Sequence, residues 1–261
     1  MGDYIFESDD TLTRTHLGAL EDAFDAVSIR QLYDVGIRSG WKCLDAGAGS
    51  GSIARWLAGR VGSSGEVVAT ETDPRLLEGL HDDNVRVLEH DLTRDPLAEA
   101  EYDLVHARLL LILLSERERV LDRLIGALKP GGVLVLEDFD VAGAGALLAP
   151  EDGDAEVFDR VLETYLSAMA VLGADIRWGR HLYAALRRRG LRDVRSVGHA
   201  EVWPGGSSGC ELIRTNFTQL RRQILDRGTV GHSEWRRAVE LLDHEGFAMR
   251  SFLLVANSGL R

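Results

Sequence analysis

Between Trp41 and Glu137 short apolar runs alternate with stretches of helical spacing, and that alternation confines the chain to a parallel sheet with helices on both faces. Trp41 to Ala46 reads as a buried strand, and Ile53, Trp56 and Leu57 give the next segment the spacing of an amphipathic helix. Strands are expected over Glu66 to Glu71, Val85 to His90, Tyr102 to Ala107 and Val133 to Glu137. Helices are expected over Pro74 to His81 and over Arg117 to Leu128, the latter closed by Lys129-Pro130-Gly131-Gly132.

The flanks read differently. From Thr11 to Ser39, Leu17, Leu20, Phe24, Val27 and Leu32 recur at helical steps. After Asp140 the small-residue stretch Val141 to Ala146 reads as a loop, followed by helices over Glu151 to Leu172 and Trp178 to Arg189. Strands over Val194 to Trp203 and Phe247 to Val255 flank two helices near Glu211 to Arg227 and Ser233 to His244. The expected organisation is an N-terminal helical lid over residues 1–40 and one domain over 41–261, with an inserted helical acceptor-pocket segment at about 141–177.

In such a sheet, ligands bind beyond the carboxyl ends of the strands at the point where strand order reverses. The loop after the first strand is Asp45-Ala46-Gly47-Ala48-Gly49-Ser50-Gly51. Glycine lets backbone turn sharply and approach a ligand closely, and the following helix offers amides to a negative group. A dinucleotide fingerprint would read Gly-x-Gly-x-x-Gly, spaced to pass a pyrophosphate. Here the spacing is Gly-x-Gly-x-Gly, and Asp45 stands two residues before the first glycine, which suits a ligand carrying amine and sulfonium groups.

The stretch Cys43 to Gly51 resembles the first motif of the class I S-adenosylmethionine-dependent methyltransferases. Glu71-Thr72 at the second strand end, His90-Asp91-Leu92 at the third, Tyr102-Asp103-Leu104-Val105-His106-Ala107-Arg108 and Leu128-Lys129-Pro130-Gly131-Gly132 extend the resemblance over most of Trp41 to Asp140. It implies a Rossmann-like α/β fold, a mostly parallel seven-stranded sheet with helices on both faces and added helices as a lid. It also implies S-adenosylmethionine as cofactor, S-adenosylhomocysteine as product, and methyl transfer to oxygen, nitrogen or carbon of a small molecule, as in bacterial specialised metabolism. A cyclisation or rearrangement on the same fold, and non-catalytic cofactor binding, are the alternatives.

By that resemblance Asp45, Ala46, Gly47, Gly49 and Gly51 form the cradle. Glu71, with Thr72 beside it, takes the ribose hydroxyls, while Asp91, with Leu92 beside it, accepts from the adenine amino group; the competing reading of Asp91 is a turn cap. Arg108 belongs to the cofactor set. His106, expected just beyond a strand end and facing the cleft, is the candidate general base, against a scaffold role that carries the larger share. For His181 and His199 the plain readings are a helix start and a sheet residue. Glu137, Asp138 and Asp140 gather acids suited to a hard cation, but the Asp-Asn pair of metal-dependent catechol methyltransferases is missing, so no metal is expected. Acceptor specificity is expected in Tyr4 to Arg14 and Ala146 to Leu172. Tyr165, Met169, Trp178, Trp203 and Phe217 are candidates for an apolar pocket, each more simply read as core.

Composition narrows the partners. A net charge of −12 repels a phosphate backbone, and the one dense basic run, Arg187-Arg188-Arg189, sits at a helix end, so no nucleic acid is expected. No apolar run approaches the roughly 20 residues of a membrane span, and Met1 to Asp10 is acidic where a secretory signal is basic and then apolar. The cytoplasm is the expected address, a small-molecule acceptor the expected partner, and a homodimer is left open. Cys43 and Cys210 are too few and too far apart for a disulfide framework, and Cys43 reads as a small buried hydrophobe.

Overall fold

The computed structural model describes residues 10–261. In chain order the elements are α1 (Asp10–Asp34), β1 (Lys42–Ala46), α2 (Ser52–Val61), β2 (Glu66–Glu71), β3 (Val85–Glu89), β4 (Tyr102–Arg108), α3 (Arg117–Ala127), β5 (Leu128–Asp140), β6 (Gly145–Leu148), α4 (Asp154–Val171), α5 (Trp178–Arg188), β7 (Arg192–His199), β8 (Val202–Pro204), α6 (Ser208–Gln219), α7 (Arg221–Asp226), α8 (His232–Leu241), β9 (Ala248–Arg250) and β10 (Leu253–Leu260). The expected helix over Pro74 to His81 is a 3-10 turn, Pro74–Leu77: Asp73 caps it by accepting from the Arg75 amide, and Gly79 follows within the span.

Two compact units share the chain. The larger holds Phe24–Asp140, Arg177–His199 and Leu254–Arg261. Its seven-stranded sheet runs β3-β2-β1-β4-β5-β10-β7, parallel from β3 through β5, with β7 and β10 antiparallel to each other. The fold is thus the Rossmann-like class I methyltransferase arrangement, a mostly parallel seven-stranded sheet. Strand order reverses between β1 and β4, so the loops after these two strands border the switch point.

Register and alternation decide what that border contains. Cys43 aligns with Val67 and Leu104, and Asp45 with Ala69 and His106. Every second residue shares a face, so Cys43, Val67, Leu104 and Val133 are followed on the same face by Asp45, Glu71, His106, Arg108 and Glu137. The first set packs with Leu32 of α1 and Ile53, Leu57 and Val61 of α2 in one buried cluster. The face is therefore apolar in its middle and charged at the carboxyl ends of its strands.

The smaller unit holds Val141–Ile176, Ala200–Leu253 and the described residues of Met1–Ala23. Its three-stranded antiparallel sheet runs β6-β9-β8. Three expectations are corrected here. The loop over Val141 to Ala146 ends in strand β6, the strand over Val194 to Trp203 is two strands in different sheets, and so is the strand over Phe247 to Val255. Breaks at Ala200-Glu201 and Ser251-Phe252, where the Ser251 amide donates to the Glu201 carbonyl at 3.0 Å, divide them.

Tyr165, Met169, Trp203 and Phe217 are core of this unit, and Trp178 is buried in the larger one. Phe217 stacks at a tilt on Tyr165 and Phe158, with ring centroids 5.6 and 6.0 Å apart. Arg237 of α8 holds the Asp154 carboxylate with both guanidinium arms, at 2.8 and 2.7 Å. The Tyr4 to Asp9 part of the expected specificity segment, and residues 1–9 of the expected lid, lie outside the described residues. Among the described residues no helix is long and apolar enough to cross a membrane.

Candidate functional site

The loop after β1 is shaped by its glycines. Gly47, Gly49 and Gly51 have φ of 68°, 59° and 85°, a region that side chains disfavour. Space agrees with torsion: a Cβ on Gly47 would sit 3.0 Å from the Leu110 side chain, and one on Gly51 3.0 Å from Leu77. Thr70 braces the loop from β2, its hydroxyl accepting from the Gly47 amide at 3.3 Å and its carbonyl from the Ala48 amide at 2.9 Å. Helix α2 then starts directly after Gly51.

Glu71 fastens the middle of the loop. One carboxylate oxygen accepts from the Gly49 amide at 3.0 Å and the other from the Thr72 amide at 2.9 Å. Burial raises its proton affinity, and these backbone bonds only partly offset that rise. Sequence reasoning placed this acid at the strand end; its bond to the glycine loop is a further property that only the fold reveals.

Asp45 is 2% exposed at the end of β1, next to the buried Ala46. One carboxylate oxygen, Oδ1, lies 2.7 Å from Nδ1 of His106, while Oδ2 is buried with no hydrogen-bond partner among the described residues. A buried, unpartnered carboxylate oxygen is costly unless a donor or cation reaches it.

His106 corrects the sequence expectation. It lies within β4, not beyond its end, and is 1% exposed between Asp45 and Glu137, with Nε2 3.3 Å from the Glu137 carboxylate. The alignment of Asp45 with His106 on adjacent parallel strands puts both side chains on one face. Burial alone would lower its proton affinity, but the two carboxylates outweigh it and hold the ring protonated, with the pKa pushed up to about 9. Glu137 moves the other way: burial raises it, and the imidazolium, Ser28 and Arg108 bring it below the usual range.

The Arg108 guanidinium reaches α1, 2.8 Å from the Asp25 carboxylate and 3.0 Å from the Ser28 hydroxyl. The chain then turns at Leu109, a non-glycine residue at φ 53°, whose amide donates to the Glu137 carbonyl at 2.7 Å. This turn brings Leu110 against Gly47.

Asp91 has the geometry of a turn cap. Its Oδ1 accepts from the Thr93 amide at 2.9 Å and the Thr93 hydroxyl at 2.6 Å, beside the buried Leu92. Burial raises its pKa, but the two Thr93 bonds outweigh that and leave the carboxyl below its ordinary value. The acids at the end of β5 take separate partners. Glu137 turns to His106, Asp138 accepts from the Ile112 amide at 3.3 Å, and Asp140 pairs with Arg180 at 2.8 and 2.7 Å. Ser28, Asp25 and Thr70 went unnoticed in the sequence, since nothing local marks them as partners of residues 70 or more positions away, or as the brace of a neighbouring loop.

The donors and spaces fit S-adenosylmethionine: a left-handed glycine loop admits backbone contact, Glu71 stands at the adjacent strand end, and Asp45 Oδ2 lacks a donor. Residues 44–136 match the family model described as a methyltransferase domain. A ubiquinone/menaquinone biosynthesis C-methyltransferase of Idiomarina loihiensis is 31% identical over 111 residues, 39% of this chain and 44% of that protein. The chain thus spans less than half the length of that relative. Among solved structures, the YcgJ protein of Bacillus subtilis superposes with a TM-score of 0.56 at 14% identity, over 88% of this chain and 96% of that one. Phosphoethanolamine N-methyltransferase 2 of Haemonchus contortus, in complex with S-adenosylhomocysteine, gives a TM-score of 0.53 at 15% identity, over 95% of this chain and 52% of that one. Motif, strand order and cradle agree with these matches: the chain has the class I methyltransferase fold, and its residues 44–136 match a methyltransferase domain.

Proposed function

We propose that the protein transfers the methyl group of S-adenosylmethionine to a small molecule. The observation that carries this reading is the cradle itself, in which Glu71 clamps the Gly49 amide while Asp45 keeps one buried oxygen for a ligand cation. When bound, the cofactor supplies an electrophilic methyl on a sulfonium, and in-line transfer asks the protein chiefly for alignment and exclusion of water. Asp45 orients the amino acid part, Glu71 with Thr72 the ribose, and Asp91 with the Leu92 backbone the adenine.

Chemistry at the acceptor falls to residues other than His106, whose protonated ring has no free lone pair to act as a base. A small, uncharged or cationic acceptor suits a chain of net charge −12, and a nucleic acid does not. The similarity to a quinone C-methyltransferase makes carbon acceptors on flat rings the first class to screen, ahead of oxygen and nitrogen acceptors from bacterial specialised metabolism. The test is formation of S-adenosylhomocysteine and a methylated product by purified protein with such a panel, beside Glu71→Ala. Product with wild type and less than a tenth of that rate in the variant supports the reading. Cofactor binding without product from any acceptor class would favour a rearrangement or a binding role on the same fold.

A further inference from the structure

We infer that His106 is a positioning residue of the cofactor seat, a buried cation that holds Asp45 by Oδ1 so that Oδ2 is presented to the positively charged amino group of the ligand. This rests on the proposed binding of S-adenosylmethionine at the glycine loop. The geometry has three parts. The His106 ring is 1% exposed, and its two nitrogens face two carboxylates, Asp45 of β1 at 2.7 Å and Glu137 of β5 at 3.3 Å. Only the doubly protonated ring donates to both, because a neutral imidazole has one N–H and would set a lone pair against a carboxylate. The other neighbours are set the same way: Arg108, on β4 itself, is tied to Asp25 and Ser28 of α1.

Charge completes the argument. His106 and Arg108 are two cations among three carboxylates, the buried Asp45 and Glu137 and the part-exposed Asp25, so the cluster is one positive charge short. Buried carboxylate oxygens without a hydrogen bond remain on both Asp45, at Oδ2, and Glu137, at Oε1; of the two, Asp45 stands at the loop end of the cluster, where a ligand cation would restore the balance. S-adenosylmethionine and S-adenosylhomocysteine carry the same ammonium group, so the seat meets both, and His106 acts by holding Asp45 in place rather than by adding attraction. Removing the imidazolium takes away the donor that holds Asp45 Oδ1, and the seat loses the fixed direction of Oδ2.

The experiment uses the full chain and two readouts. Nitrogen NMR of 15N-histidine-labelled wild type reads the ring directly, with the His106 signal identified by its absence in His106→Gln. Both ring nitrogens are expected to stay protonated from pH 6 to 8, while exposed histidines titrate. Calorimetry with S-adenosylmethionine and S-adenosylhomocysteine reads the consequence. His106→Gln is expected to weaken both ligands at least 10-fold, since both present the same ammonium to Asp45. A ring that is neutral at pH 7 in cofactor-binding wild type overturns the inference even if the variant fails to fold. Equal affinity of variant and wild type overturns it too. Wild type that binds neither ligand overturns the reading of the glycine loop and this inference with it.

Discussion

The two units of this chain are specified in different ways. In the larger, strand, loop and helix follow one another in the chain, as in β1, the glycine loop and α2 over residues 42–61, so each decision about the fold is local. In the smaller, strands of four, three and three residues come from positions 145, 202 and 248, and each acquires its partners only once the chain has folded back. Loop closure over such separations costs entropy before any pairing is gained. A nucleotide-type cradle can therefore be read from a short stretch of sequence, while the architecture beside it cannot.

Substitutions at glycines break the comparison most sharply, because both units use them for opposite reasons. Gly47→Val forces a β-branched residue to a φ of 68° and a Cβ to within 3.0 Å of Leu110. We expect at least a 100-fold loss of S-adenosylmethionine affinity by calorimetry, with circular dichroism close to wild type. At Gly209 a Cβ would overlap the Trp203 ring, 2.0 Å from its nearest atom. Gly209→Ala should cost roughly 3 kcal/mol by overpacking, read as a fall in urea midpoint. A Gly209→Ala protein as stable as wild type would mean that the packing described for the smaller unit is wrong.

The buried bridge gives a pH signature that belongs to the larger unit alone. His106 has its pKa raised to about 9 from the ordinary 6.5, so its contribution to stability is complete below about pH 6.5 and is lost as pH rises through 9. Glu137 is lowered, so its contribution is present above its ordinary value and is lost as pH falls through the lowered one. The urea midpoint of wild type should decline between pH 7 and 9.5, and that of His106→Gln should be flat there. A parallel decline in both proteins would assign the alkaline loss to other groups.

Smaller effects sharpen the contrast. Arg237→Ala removes both guanidinium bonds from Asp154 in the smaller unit and should lower stability by about 1–2 kcal/mol, with cofactor affinity within twofold of wild type. Asp91→Ala removes the Thr93 cap and should cost about 1 kcal/mol. If Asp91 also accepts from adenine, affinity falls several-fold in the same variant; unchanged affinity would leave only the cap.

What was legible follows the same division. Asp45, Gly47, Gly49, Gly51 and Glu71 were found because their spacing along adjacent βα units fixes their place at strand ends. The seven-stranded sheet was legible for the same reason, through its five parallel strands. His106 was noticed but misplaced, since whether a residue lies inside or past a strand end depends on how far β4 pairs with β5, here through Arg108 with Glu137. Glu137 was noticed as part of an acid cluster, yet alternation sends it to His106 while Asp138 and Asp140 find other partners. Ser28 and Asp25 carried no signal, because α1 shows no mark of its buried contact with Arg108. The loop expected over Val141 to Ala146 takes in only Gly145 and Ala146 of β6, a strand whose four residues, Gly145-Ala146-Leu147-Leu148, hold no alternation.

With S-adenosylmethionine held by the glycine loop, Asp45 and Glu71, calorimetric titration of wild type beside the Asp45→Ala, Glu71→Ala double variant should give binding near the micromolar range in wild type and its loss in a folded double variant. Equal binding by both proteins would contradict this seat and place the cofactor elsewhere.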